Sequence, residues 1–512
     1  MDLAEQRNAA RDIVTARDLT YRQQLQRLAQ VAEASLPYPK LSPEAEEALA
    51  GGLLCDLHEG NAPYRPRYVL PDYARATRQG SDFLELEPPG DLDDALNFLS
   101  ILYHHVPSIT TYPVYLGDLD VLLEPFVDGV DDEALHRTLV RFWRYLDRTI
   151  PDAFSHANIG PADGRVAHAI LRVDRELAQV VPNLTLKWDR QLSGDALLAA
   201  AARSVGVVNK PHIANHEMIA ADFPDGYGVV SCYNTLPLGG GSHTLVRLNL
   251  AESGRRHRDG IDAYLADTLP RHLELLLEVM RARIVFLVEE AGFYEHSFLA
   301  REQLIDLERF TAMVGLYGTA ELVDGLLEHR GLRYGRDEEA NLLANRIITT
   351  AARVVATTPM PHCAGRRAVL HAQSGISEDV GVTAGARVPT GAEPELLDHI
   401  RAVAPHHQWF TGGVSDIFAV EPTVADNPEA LVDLIRGGFR HGLREITFDV
   451  AGCELVRITG YMVRRSDIDR LRREAERHTT TGLGAEAIAN RQVLERTARV
   501  VSVETTAWSP GA

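Results

Sequence analysis

The chain has very little cysteine: Cys55, Cys232, Cys363 and Cys453 in 512 residues, with no Cys-x-x-Cys pair. That excludes a disulfide framework and a self-contained cysteine-ligated zinc or iron–sulfur site. Each thiol is therefore judged singly, and a small buried hydrophobe is the default role for three of the four. Positive charge is also scarce. Lys and Arg number 52 against 72 Asp and Glu, a formal net charge of −20. Nucleic-acid binding rests on a basic surface, so no nucleic-acid partner is expected and a small-molecule substrate is. No apolar run approaches the roughly 18 residues that a membrane span needs. The start, MDLAEQRNAARDIVTARDL, is a charged helical pattern without an apolar signal core. No membrane partner and a cytoplasmic location are the expectations. Linkers, low-complexity segments and repeats are missing too, which favours one large domain over residues 1–512.

What is present reads as alternating strand and helix. An N-terminal helix with Ile13, Leu19, Leu25, Leu28 and Val31 on one stripe suits a surface helix or an oligomer contact, which leaves a homodimer open. A Pro- and Gly-rich segment follows to residue 90, wrapping over the core. Helices are expected at 91–105, 132–149, 163–180 and 193–205, the last capped by Ser193, with strands at 110–117, 183–188, 211–214 and 227–232 among them. The glycine-rich turn Pro237-Leu238-Gly239-Gly240-Gly241-Ser242 leads into an apolar strand at 244–250, and 258–355 reads as mostly helix. A helix at 427–442 carries its own punctuation, with Asn427 as cap, Pro428 at its first position and Gly442 as its stop. Beyond it come the strand 445–450 and helices at 466–477 and 483–497.

Two features stand apart from this scaffold. Val456-Arg457-Ile458-Thr459-Gly460-Tyr461-Met462-Val463 reads as a strand with a glycine in its middle, which weakens a strand and needs a reason; a bulge or a close backbone crossing is the bland one. In Ser231-Cys232-Tyr233-Asn234-Thr235 a strand ends at a thiol beside glycines, where a substrate can approach closely. Acid–base candidates near Cys232 in sequence are His212, His216, Glu217 and Asp222, with His216 and Glu217 preferred as catalytic. His362, Cys363, His406, His407 and Asp416 rank below them. Two adjacent histidines on a strand would face opposite ways, so no metal is assigned. Cys453 reads as a structural residue of a turn at Ala451-Gly452.

Arg-Ile-Thr-Gly-Tyr at 457–461 resembles the Arg-Val-x-Gly-Tyr signature of glycyl radical enzymes. The similarity extends through Trp409-Phe410-Thr411-Gly412-Gly413-Val414-Ser415, the 427–439 helix and the Gly460 strand, in the order found at the end of pyruvate formate-lyase-like proteins. Phe310-Thr311-Ala312-Met313-Val314-Gly315-Leu316-Tyr317-Gly318 looks like their mid-chain GxxGLxE helix start, with Gly318 in place of Glu. Cys-Tyr-Asn-Thr-Leu-Pro followed by three glycines resembles the cysteine loop of the YjjI family.

This resemblance implies a ten-stranded α/β barrel surrounded by helices, with two loops meeting inside, and makes 409–512 the glycyl radical region. It implies a radical stored on Gly460 and installed by a separate radical S-adenosylmethionine activating enzyme, an iron–sulfur protein. Cys232 would pass through a thiyl state that abstracts hydrogen from a small polar, hydroxylated substrate, for elimination or bond cleavage. Asn234, Gly240 and His243 are candidates for substrate binding, Arg457 and Tyr461 for supporting the radical loop. Cys232 stands alone where formate-lyases have two cysteines, and Asn234 stands where diol-type enzymes have a glutamate base. The cysteine-rich zinc site of anaerobic ribonucleotide reductases is absent. Alternatives are a catalytically silent barrel that binds a metabolite, a ribonucleotide-reductase-like radical enzyme, and a phosphate site on Gly239-Gly240-Gly241.

Overall fold

The computed structural model describes residues 2–17, 19–55, 59–109, 112–150, 152, 154–257, 259–371, 382–457 and 462–474. Gly460, Tyr461 and the helix expected at 483–497 lie outside the described residues. In chain order the strands are β1 (Leu54–Cys55), β2 (Tyr68–Leu70), β3 (Tyr115–Asp118), β4 (His156–Ile159), β5 (Asn183–Trp188) and β6 (His212–Asn215). There follow β7 (Tyr227–Val230), β8 (Asn234–Pro237), β9 (Gly240–Asn249), β10 (Phe310–Tyr317) and β11 (Val369–His371). The last are β12 (Phe418–Val420), β13 (Glu445–Ile446), β14 (Phe448–Val450), β15 (Leu455–Arg457) and β16 (Met462–Arg464).

Two five-stranded sheets dominate. The first runs β13-β6-β5-β4-β3, with β3 to β6 parallel and β13 antiparallel at the edge. In the second, β9, β10 and β11 are parallel, and β1 and β2 pair antiparallel with opposite ends of the long β9. Parallel strands are covered on both faces, so they are buried throughout and lack alternation; β4, β5, β6 and β10 are buried at every position. Among the described residues no ladder joins the two sheets into one ring.

Helices cover the sheets for reasons visible in their sequences. Asp131 accepts from the amides of Glu133 and Ala134 and so starts the helix Asp132–Thr149. That helix buries Leu135, Leu139, Phe142, Trp143 and Leu146 at helical spacing.

Local chemistry departs from expectation in four places. Residues 310–317, expected to start a helix, form strand β10; the helix Thr319–Leu326 begins only after Gly318, which has φ +81°. Uninterrupted apolar Ala-Met-Val-Gly-Leu suits a strand buried on both faces, so tertiary burial decides. His406 and His407 end the helix Leu396–His407 and are both buried, so they are not strand neighbours. Ser193 heads the helix Gly194–Val208 without capping it, because its hydroxyl accepts from the Asp189 amide and donates to the Pro161 carbonyl. Asn427 likewise makes no side-chain cap for Pro428–Arg440.

Candidate active site

Strands β7 and β8 form a two-stranded hairpin lying between the sheets: β7 packs on β3 and β4, and β8 on β9. The side chain of Asn158 on β4 takes the place of a ladder partner. Its Oδ1 accepts from the Val229 amide and its Nδ2 donates to the Val229 carbonyl, both at 2.8 Å. Lys187 Nζ donates to the Tyr227 carbonyl at 2.6 Å and pairs with Asp118, fixing the base of the hairpin.

Cys232 is at the tip. Val230 pairs with Asn234, so Ser231, Cys232 and Tyr233 make a three-residue turn, and both Cys232 (φ +52°) and Tyr233 (φ +62°) are left-handed. Non-glycine residues seldom adopt that conformation, and adjacent pairs need support from their surroundings. The support comes from the 410–416 segment. Ser415 Oγ donates to the Cys232 carbonyl, and Gly412 lies so close that a Cβ there would be 2.2 Å from the Tyr233 carbonyl oxygen. On the side of the second sheet, Tyr68 OH donates to Ser231 Oγ at 3.0 Å, and Ser231 Oγ stands 3.6 Å from Cys232 Sγ. Burial raises the Tyr68 pKa, so the phenol keeps its proton. The thiol is itself buried, at 6% exposure.

Tyr233 points toward the first sheet. Its ring stacks on His212 with centroids 3.9 Å apart and planes 7° apart, and meets the His156 ring edge-on at 5.6 Å. The Arg457 guanidinium lies 5.3 Å from the same ring. Arg457 is fully buried, its guanidinium donates to the Asn209 and Phe448 carbonyls, and it ends β15, three residues before Gly460. Two stretches of chain more than 220 residues apart in sequence thus meet at Tyr233.

Behind the tyrosine, His212 Nε2 lies 2.9 Å from Glu445 Oε2. Burial drives the two groups in opposite directions. It raises the Glu445 carboxyl to about 8, against the opposing pull of Arg387, and it lowers His212 well below the usual histidine range, helped by Arg457. The pair is held neutral with one proton between its two heavy atoms. His156 is pushed down to about 3 by burial as well. Among the described residues, Tyr233 OH, Asn234 Oδ1 and His156 Nε2 are buried without a hydrogen-bond partner.

The structure gathers some of the residues singled out in the sequence and separates others. Cys232, Asn234 and Arg457 come together around Tyr233. His216 hydrogen-bonds Tyr227 OH at 2.8 Å, at the base of the hairpin, and Glu217 is an exposed residue of the cleft beside Trp188 and Arg440. His243 has both ring nitrogens occupied, by the His362 carbonyl and Tyr294 OH, leaving neither for a substrate. Gly240 is required by packing, since a Cβ there would be 2.2 Å from the Arg309 carbonyl oxygen. Asp222 pairs with Arg444, Asp416 with His399 and His362 with Glu289. Cys363 is buried with its thiol raised to about 12. Glu445, His156 and Asn158 escaped the sequence reading. Their one signal was polarity inside strands that are otherwise buried.

No helix among the described residues is long and apolar enough to cross a membrane. No group of three metal-ligating side chains occurs among them.

Several known proteins share this architecture. The chain is similar in structure, with a TM-score of 0.68, to an anaerobic ribonucleotide reductase at 14% identity, covering 94% of this chain and 88% of the other. It is similar at a TM-score of 0.62 to a hydroxyproline dehydratase from Clostridioides difficile solved with trans-4-hydroxy-L-proline bound, at 13% identity over 96% and 88% of the two chains. In sequence it is 50% identical over 497 residues, 96% of each chain, to the uncharacterised protein YjjI of Escherichia coli strain K12. It is 40% identical over 492 residues to an uncharacterised protein of Haemophilus influenzae, covering 94% of this chain and 95% of the other. The family model of glycyl radical enzymes described as YjjI-like matches residues 19–499, and the chain belongs to that family.

Proposed function

We propose that Cys232 is the hydrogen-abstracting residue, Gly460 the radical store, and the substrate a small, polar, hydroxylated molecule processed by elimination or bond cleavage. The observation that carries the reading is the meeting of the Cys232 turn with the strand leading to Gly460, through Tyr233 and Arg457. Hydrogen-atom transfer between the two loops needs them held together in a dry interior. Membership of the family supports the radical itself.

The radical on Gly460 supplies a one-electron site that the ordinary side chains lack, and a separate radical S-adenosylmethionine activating protein supplies it. Cys232 is buried and its backbone is pinned by Ser415, which suits a thiol that must form and re-form its S–H bond without losing position. The whole chain, 1–512, is read as one catalytic domain, and oxygen sensitivity and an anaerobic role follow from the radical.

The test is anaerobic incubation with the activating protein, S-adenosylmethionine and a reductant. An organic radical signal split by one α-hydrogen is expected in electron paramagnetic resonance. Gly460→Ala abolishes it, while Cys232→Ser keeps the signal and loses hydrogen exchange from deuterated water into substrate. A signal that survives Gly460→Ala sinks the assignment of the radical store.

A further inference from the structure

Cys232 Sγ is held from one side by a chain of hydroxyl groups. Tyr68 OH donates to Ser231 Oγ at 3.0 Å, and Ser231 Oγ donates to Cys232 Sγ at 3.6 Å. All three residues are buried. Tyr68 belongs to β2 of the second sheet, where it pairs with Ser242, while Ser231 and Cys232 sit in the turn between β7 and β8. The Ser231 main chain is fixed independently, because its carbonyl accepts from the Asn234 amide at 3.2 Å and from Asn234 Nδ2 at 2.7 Å.

The chain runs one way. Behind Tyr68 stands Arg67, whose guanidinium carbon lies 5.0 Å from the tyrosine ring centroid. A guanidinium only donates, so it offers the phenol proton no acceptor, and that proton goes to Ser231 Oγ. With its oxygen accepting from Tyr68, Ser231 turns its own single proton to Sγ. The sulfur is therefore an acceptor on this side, and its S–H bond points to another. Nor does the chain end on a base. The Glu59 carboxylate behind Arg67 has Oε1 taken by Arg67 and the Leu245 amide, and Oε2 by Thr244 and Arg283. A proton leaving Cys232 finds no acceptor along this route.

We propose that Ser231 and Tyr68 are positioning residues for hydrogen-atom transfer at Cys232, aiming its S–H bond away from Ser231 and toward the atom with which it exchanges hydrogen. This deepens the radical reading and rests on it. In the step concerned the S–H bond breaks homolytically. The hydrogen leaves with one electron and forms a C–H bond at the Gly460 α-carbon, which quenches the glycyl radical, and the sulfur keeps the other electron as a thiyl. No proton moves along the hydroxyl chain. The thiyl sulfur still accepts from Ser231, so the side chain holds its orientation for the return transfer. Removing either hydroxyl frees rotation about the Cβ–Sγ bond, and the S–H bond spends less time in the productive direction.

The test follows the activated full chain in deuterated water and needs no substrate. Cys232 exchanges its thiol hydrogen with solvent, so repeated transfer carries deuterium to the Gly460 α-carbon and the doublet in electron paramagnetic resonance collapses to a single line. Ser231→Ala and Tyr68→Phe keep the radical and slow the collapse by about three- to tenfold, from the loss of one staggered orientation among three up to the loss of one hydrogen bond. Ser231→Thr, which retains the hydroxyl, restores the rate. Either Ser231→Ala or Tyr68→Phe carries the test if the other does not fold. A second measurement needs no radical: in the resting protein the Cys232 S–H stretching band, identified as the infrared band missing from Cys232→Ser, shifts in Ser231→Ala and Tyr68→Phe and stays in place in Ser231→Thr. Collapse at the unsubstituted rate in both variants, or a band unmoved in both, overturns the proposal and leaves the radical reading standing. No collapse in the unsubstituted chain, or a collapse that persists in Cys232→Ser, overturns the radical reading and the proposal with it.

Discussion

Asn158→Ala removes the side chain that ties the cysteine hairpin to the first sheet. Asn158 is fully buried, and it satisfies both main-chain polar groups of Val229, at 2.8 Å each. Each hydrogen bond contributes about 1 kcal/mol net, and each buried group left unsatisfied costs about 1–3 kcal/mol. Two such groups give a loss of roughly 2–6 kcal/mol, reduced where water enters the space vacated. About 3 kcal/mol is expected, read as a fall in the urea midpoint of unfolding. The loss is local to the hairpin, so the Val229 amide exchanges faster with deuterium and Cys232 is alkylated faster under anaerobic, non-denaturing conditions. Asn158→Asp discriminates further. Its carboxylate still accepts from the Val229 amide but turns a second acceptor toward the Val229 carbonyl, and only the protonated acid restores the donor. Its stability therefore falls as pH rises through the raised pKa of that buried acid. Refutation is a loss under about 1 kcal/mol in Asn158→Ala together with unchanged alkylation of Cys232.

Three other outcomes follow from the same geometry. Gly412→Ala sets a methyl against the Tyr233 carbonyl at 2.2 Å, a backbone clash that no rotamer relieves; a loss of about 1–3 kcal/mol and a displaced Cys232 turn are expected, checked by denaturation and by thiol accessibility. Glu445, raised from 4.5 to about 8, holds in the native state a proton that the unfolded chain releases, so its contribution is full below 4.5 and lost as pH rises to about 8. Glu445→Gln should flatten the decline of the unfolding midpoint between pH 6.5 and 8, and an unchanged decline there refutes the neutral His212–Glu445 pair. Burial pushes His156 and His407 from 6.5 down to about 3; both stay neutral in the native state while the unfolded chain takes up protons, so stability is lost as pH falls from 6.5 through 3, measurable as an acid transition that His156→Phe shifts to lower pH.

The α/β rhythm was legible because periodicity and caps are local. Helix Asp132–Thr149 falls on its expected residues, since Asp131 and the 3.6-residue apolar spacing act within a few positions of one another. The 310–317 segment was misread because only burial between β9 and β11 distinguishes its apolar run from a helix start. In the candidate site, Cys232 stood out in the sequence as a strand-end thiol near glycines, and it lies in the turn between β7 and β8. Glu445 was not, because its partner His212 lies 233 positions away and the raised pKa exists only once the two strands pair antiparallel. Sequence nearness misled in the other direction: Glu217 is close to Cys232 along the chain, yet the helix His216–Ala220 turns it outward.

Three titratable groups around Tyr233, beside the charged Arg457, have a common property. His156 and His212 are kept uncharged and Glu445 keeps its proton. Adding a proton there is opposed by burial and by the Arg457 cation, whereas moving a hydrogen atom creates no charge. The surroundings of Tyr233 are therefore a filter on reaction type: they disfavour steps that build positive charge beside the ring and are indifferent to steps that move a hydrogen atom.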